Sequence, residues 1–199
     1  MVKKQDILDA TYKLFAQKGY YLSMADIAGQ VGLKVPSIYS HFQSKDEIIF
    51  VVMESRINSY YEHLENEITR LINEDLSSEE KLKTICFSVS KYFTNTETIR
   101  FWKNISLIYH EDLRLKCRDL VKSQDEKIFR LLQQIYDEGS IKGELKEEYK
   151  EEYKEGVVLL FWTMMQGILD TILVQGGMSQ EFNVYLSMIW KAYWNGIKK

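Results

Sequence analysis

Ser23-Met-Ala-Asp-Ile-Ala-Gly-Gln-Val-Gly-Leu-Lys-Val-Pro-Ser-Ile-Tyr-Ser-His-Phe42 holds the most specific pattern in the chain. It reads as two short helices joined by a tight turn, with the second shaped to enter a DNA major groove. Ala28 is small enough to let the second helix approach the first. Gly32, four residues on, can take the positive φ that ends the first helix and redirects the chain. Ile27, Val31, Leu33 and Ile38 then point inward. Ser23 can cap the first helix, and Asp26 three residues later places a carboxylate at its positive end. Pro36, the single proline of the chain, falls in the first turn of the second helix, where a missing N–H is harmless. Lys34 stands where a capping Ser or Thr is expected and is a weak cap, which leaves its amine for DNA.

Working outward, Ile7, Leu8, Thr11, Leu14 and Phe15 recur at helical spacing before this stretch, and Lys18-Gly19 closes that first helix. After it, Phe42 ends the recognition helix and Ser44-Lys45-Asp46-Glu47 opens a long one as a capping box. From Ile49 to Ile72 that helix keeps one apolar stripe, so it serves both an N-terminal and a C-terminal core. The domain boundary is placed near Lys45: residues 1–45 form a helix-turn-helix DNA-binding domain, and residues 46–199 a helical ligand-binding and dimerisation domain.

The remainder is helical throughout, which makes the fold all-α with about nine helices. Ser77-Ser78-Glu79-Glu80 starts a helix that Thr94-Asn95-Thr96 breaks. A short helix carries Ile99, Trp102, Ile105 and Tyr109. A longer one, capped by Asp112, is expected to end at Gly139. Glu147 to Glu155 repeats Glu-Glu-Tyr-Lys and reads as a solvated helix start. Val157 to Val174 is apolar on nearly every side, interrupted by Thr163, Gln166, Gly167, Asp170 and Thr171, and reads as a helix covered all round. Its length barely suffices to span a membrane, and Gln166 and Asp170 argue against that reading. Ser179 caps a final helix with Phe182, Tyr185, Leu186, Ile189, Tyr193 and Ile197 on one face and Val184, Met188 and Trp190 on others. These last two helices carry more apolar surface than one subunit covers, which calls for a second subunit.

The chain has a net charge of −3 and 45% hydrophobic residues, enough for a packed core without staples. Residues 1–50 hold six bases and five acids, so charge alone does not reveal nucleic-acid binding and the motif has to carry it. Two cysteines, Cys86 and Cys117, are too far apart for a metal knuckle and too few for a disulfide framework. With no apolar leader after Met1, the expected compartment is the cytoplasm.

Residues 1–50 resemble the TetR family of bacterial transcriptional regulators. The matching string is Ile7-Leu8-Asp9-Ala10, Leu14-Phe15, Gly19-Tyr20, Asp26-Ile27-Ala28, Val31-Gly32-Leu33, Ser37-Ile38-Tyr39, His41-Phe42 and Ser44-Lys45-Asp46. Beyond residue 50 only general features match, among them Gln166-Gly167 in an apolar helix and a closing apolar helix. The resemblance implies an all-helical homodimer joined through the last two helices of each subunit. It also implies a small-molecule pocket in the C-terminal domain whose occupancy moves the DNA-binding heads. Lys34 and Val35 depart from the family's usual hydroxyl and polar residues, which touches base reading and leaves the fold unaffected.

Candidate DNA contacts are Ser23, Lys34, Val35, Pro36, Ser37, Tyr39, Ser40, His41 and Lys45. Ser37, Tyr39, Ser40 and Lys45 can donate to phosphate, Val35 can meet a thymine methyl, and Lys34 is the side-chain base reader at the helix start. Candidate pocket residues are Tyr60, Phe87, Phe93, Trp102, Tyr109, Trp162, Met165 and Gln166, although each taken singly is better explained by core packing. Candidate dimer contacts are Leu160, Met164, Gly167, Ile168, Tyr185, Ile189 and Tyr193. Partners expected are double-stranded operator DNA, a second copy of the chain and a small, mostly apolar or aromatic effector; a long-chain acyl compound is the rival to an aromatic-caged cation. No membrane, metal or cofactor is expected. Catalysis has no foothold: Cys86 lies at core spacing, and no phosphate-cradling glycine loop, HExxH or GxSxG occurs. The expected activity is that of a repressor released by its effector, with a ligand-dependent activator or a regulator controlled by a protein partner as alternatives.

Overall fold

Nine α-helices and two short 3-10 turns make up the described residues, 3–149, 153–177 and 179–199, of the computed structural model. The helices are α1 Lys4–Lys18, α2 Met24–Val31, α3 Val35–Tyr39, α4 Lys45–Ile72, α5 Ser78–Tyr92, α6 Thr96–Ser106, α7 Glu111–Ile141, α8 Lys154–Gln175 and α9 Gln180–Ile197. They divide into two compact units: Met1–Tyr60 with Asn95–Ser123, and Tyr61–Thr94 with Gln124–Lys199. Helices α4 and α7 each contribute one part to either unit.

In the first unit α1 packs on α2 and α6, and α2 on α3. Ile7, Phe15, Leu22, Ile27, Ile38 and Phe42 are all but inaccessible, so the core follows the 3.6-residue stripes of the sequence. Helix α1 ends as expected at Gly19, whose φ of 58° suits a residue without Cβ. A Cβ there would also meet Asn104, whose amide donates to the carbonyls of Phe15 (2.7 Å) and Ala16 (3.1 Å) and so ties α6 to the end of α1. Helix α3 is shorter than expected. It stops at Tyr39, and Ser40 to Ser44 turn the chain before α4, so Phe42 plugs the core from a turn.

In the second unit, Ser77 and Glu80 form the reciprocal cap that starts α5, and Ser179 caps α9. Lys81, wholly buried, donates to Glu138 at 2.7 Å and to the Ile72 carbonyl at 3.2 Å, which compensates burial of its charge. Gly139 does not end α7. The helix runs on to Ile141, and Gly143, at φ 73°, makes the turn. Gly139 instead admits Ser78, whose hydroxyl donates to the Ile135 carbonyl, into the side of α7. Glu147–Tyr149 is a 3-10 turn, and α8 begins at Lys154; the intervening residues 150–152 of the Glu-Glu-Tyr-Lys repeat lie outside the described ones.

Helix α8 is the described helix long and apolar enough to cross a membrane. Its apolar residues are not covered all round. Val157, Val158, Phe161, Met165, Ile168 and Ile172 form a buried face, while Leu159, Leu160 and Val174 are exposed. Helix α9 divides likewise, with Phe182, Leu186, Trp190, Tyr193, Trp194 and Ile197 inward and Val184, Tyr185, Met188 and Ile189 outward. The expected face of α9 is thereby corrected: Trp190 belongs to the core, and Tyr185 and Ile189 leave it. An antiparallel bridge between Leu145 and Lys198 pins the end of the chain.

Candidate nucleic-acid interface

The α2–α3 junction is built by local chemistry. Ser23 accepts the Asp26 N–H at 3.1 Å and Asp26 accepts the Ser23 N–H at 2.8 Å, closing the capping box. The Lys18 ammonium at 2.6 Å, then Ser23, hold the Asp26 carboxyl down at about 2. At the other end Gly32 takes φ 70°, its N–H reaches the Gly29 carbonyl and the Leu33 N–H reaches Ala28. These two bonds satisfy the last carbonyls of α2 and swing the chain into α3. Ala28, Ile27 and Ile38 are buried, and Val31 and Leu33 half-buried, which fixes α3 against α2.

Lys34 is the N-cap of α3 and gives it no side-chain bond, so its amine is uncommitted there. Lys34, Pro36, Ser37, Tyr39, Ser40 and His41 are exposed and Val35 is half-buried. They make one polar surface around a short helix whose opposite side is Ile38. Ser40 donates to the Ser37 carbonyl at 2.8 Å and Ser23 to Asp26 at 2.8 Å, so both hydroxyls already have intramolecular acceptors. Lys45 is turned toward the core. Its ammonium donates to the Tyr20 carbonyl at 2.9 Å and sits 3.8 Å over the Tyr20 ring.

Tyr20 is the hub of a clasp not foreseen in the sequence. Its hydroxyl donates to Asp46 Oδ1 at 2.8 Å, and its ring stacks on His110 at 5.7 Å. His110 Nε2 lies 3.5 Å from the second Asp46 oxygen. Burial, with Asp46 as acceptor, pushes the Tyr20 phenol up to about 12. The clasp joins the turn before α2, the start of α4 and the α6–α7 loop. These residues are far apart in sequence, and Asp46, half-buried, read only as part of the Ser44–Glu47 helix start.

The expected pocket residues are split. Tyr60 and Trp102 meet edge-on in the first unit, where Tyr109 is 84% exposed. Phe93 and Met165 are buried and Phe87, Trp162 and Gln166 half-buried in the second unit. Of the expected dimer residues, Leu160, Gly167, Tyr185 and Ile189 are exposed and Met164 half-exposed, whereas Ile168 and Tyr193 are buried within the subunit. The Tyr193 hydroxyl is bonded to that of Tyr136 beside Phe161. The Cys86 thiol is buried and pushed up to about 12 by desolvation, which keeps it from acting as a thiolate nucleophile.

The pattern of the family described as "Bacterial regulatory proteins, tetR family" matches residues 7–52, which span α1 to the first turns of α4. Over that segment the chain matches the TetR family. Relatives of this chain include the HTH-type transcriptional regulator HbdR of Aromatoleum sp. (strain CIB), 23% identical over 66% of this chain and 55% of that protein. The fatty acid metabolism regulator protein of Bacillus subtilis (strain 168) is 27% identical over 71% of this chain and 70% of that protein. The likeness of fold extends over the whole chain: the crystal structure of the transcriptional regulator FadR from Bacillus subtilis in complex with stearoyl-CoA superimposes with a TM-score of 0.69. That similarity covers 98% of this chain and 100% of the other at 20% identity.

Proposed function

We propose that this chain is a homodimeric DNA-binding repressor of the TetR type, released from its operator by a small apolar effector. The observation that carries the reading is the polar surface of α3, held by the Gly32 turn and the Ser23–Asp26 cap within the segment matching the family. In a dimer the two α3 helices enter successive major grooves about 34 to 36 Å apart. Lys34 approaches base edges, Val35 and Pro36 add apolar contact, and Ser37, Tyr39 and His41 position the phosphates. The division into a DNA-binding segment, 1–45, and an effector and dimerisation segment, 46–199, follows from that role.

The exposed Leu160, Gly167, Tyr185, Met188 and Ile189 supply a face for the second copy. Of the two effector classes, the acyl chain has the better support. The fatty acid metabolism regulator is a relative, and the FadR structure holds stearoyl-CoA. The carboxylates of Asp125 and Glu138 in the second unit already accept from Tyr61 and Lys81. An effector that binds a DNA-incompetent state better shifts the population away from the operator.

Gel-shift titration against the region upstream of the protein's own gene tests the reading. Binding at low salt that stearoyl-CoA reverses is expected; no binding at low salt removes the repressor assignment, and binding unmoved by acyl thioesters removes the acyl effector.

A further inference from the structure

Beside the clasp a cleft of about 520 Å³ opens, lined chiefly by Lys18, Tyr20, Tyr21, Leu107, Tyr109 and His110. It lies wholly within the first unit. Tyr21 and Tyr109 are 85% and 84% exposed and Leu107 52%, a concentration of apolar surface bordering a concavity of small-molecule size. Its floor is fixed. A Cβ on Gly19 would press on Asn104 at 3.3 Å, and the Asn104 amide is held by two carbonyls at the end of α1.

The titratable groups of the lining besides its tyrosines are of one type. The lining contains a lysine and a histidine and no carboxylate. The acids that accompany these two, Asp26 at 2.6 Å from Lys18 and Asp46 at 3.5 Å from His110, are absent from the lining. An aromatic body with one negative end complements such a site, since tyrosine rings offer stacking and the amine and imidazole offer donors. A cation would find no carboxylate in the lining itself, since Asp26 and Asp46 are turned to their own partners. We propose that this cleft binds a small aromatic carboxylate, its ring against Tyr21 and Tyr109 and its carboxylate toward Lys18 and His110.

The probe is 1-naphthoate, titrated into the full-length protein and followed by amide chemical shifts without DNA, so the outcome is independent of the repressor reading. Saturable shifts centred on Gly19, Tyr21 and Asn104 to His110 are expected, with a dissociation constant of about 1 mM or below. Tyr21→Ala and Tyr109→Ala, exposed positions that leave the fold intact, each weaken binding about three- to tenfold. The uncharged 1-naphthylmethanol binds about tenfold more weakly than the acid. Shifts confined to residues 157–193, equal affinity for acid and alcohol, or affinity unchanged in both tyrosine variants would each overturn the proposal.

Discussion

Asp46 receives the Tyr20 hydroxyl at 2.8 Å on one carboxylate oxygen and presents the other to His110 at 3.5 Å. Through that single carboxylate the first turn of α4 is joined to the turn that precedes the DNA-binding helices. Tyr20→Phe keeps the ring and its stacking and removes only the donor. It is expected to lower the unfolding free energy by about 1 kcal/mol, the lower end for a bond to a charged group because the pair is partly exposed. Urea denaturation reads the loss, and Asp46→Asn, which keeps an acceptor, should lose less. Because the phenol's pKa rises to about 12 on folding, its contribution is fully present below pH 10 and disappears as the pH climbs through about 12. Tyrosinate absorbance in wild type and Tyr20→Phe would locate that late-titrating phenol.

The Ser23–Asp26 cap makes a prediction at the opposite end of the pH scale. Ser23→Ala removes the hydroxyl that accepts the Asp26 N–H and should destabilise the first unit by about 1 kcal/mol. Asp26, held down chiefly by Lys18, contributes stability above the ordinary carboxylate value of 3.8 that is lost as pH falls through about 2. In Lys18→Met the acid limb of a stability–pH curve should therefore move upward. An unmoved limb would show that the Lys18 contact has no energetic weight.

Gly139 and Gly29 are both helical and respond oppositely to alanine. A Cβ on Gly139 would lie 2.5 Å from Ser78 Oγ, so Gly139→Ala must push α5 from α7, with an expected loss of about 1–3 kcal/mol. Nothing lies within 4 Å of a Cβ on Gly29, and Gly29→Ala should gain about 0.5–1 kcal/mol from helix propensity alone. Thermal melts of the two variants settle the pair.

Local chemistry was legible where one residue decides it. Ser23, Gly32 and Pro36 announced two helices and their turn because caps, positive φ and missing donors act over three or four residues. Gly139 misled for the same reason: in sequence a glycine near a helix end reads as a stop, and only the neighbouring Ser78 shows that it admits a close approach. The faces of α9 were blurred because nearly every residue is apolar, which leaves the period without contrast and hid Trp190 as core. The clasp of Tyr20, Asp46 and His110 depends on three distant segments meeting, and no spacing encodes that.

The apolar residues of α8 and α9 should divide into two classes on substitution. Met188→Asp, at a position 61% exposed within the subunit, is expected to convert a dimer to monomer in light scattering with little change in subunit helicity. Ile168→Ala, at 4% exposure, should instead lower stability by about 2–5 kcal/mol through the cavity left in the core. A Met188→Asp protein of unchanged mass would place the subunit interface elsewhere.

Lys34 and Lys45 both flank α3, yet their surroundings assign them different roles. The Lys34 amine has no partner in the cap it occupies, whereas Lys45 is engaged with the carbonyl and ring of Tyr20. If Lys34 meets a phosphate, Lys34→Ala should reduce the slope of log affinity against log salt by about 1 per subunit and weaken all sequences alike. If it reads a base, the slope changes less and discrimination at one position falls, by about 1–3 kcal/mol. Lys45→Ala should act mainly on stability, since its ammonium holds the Tyr20 turn. Gel shifts at several salt concentrations on operator and mismatched DNA separate these outcomes, and a Lys45→Ala slope change as large as that of Lys34→Ala would refute the division between them.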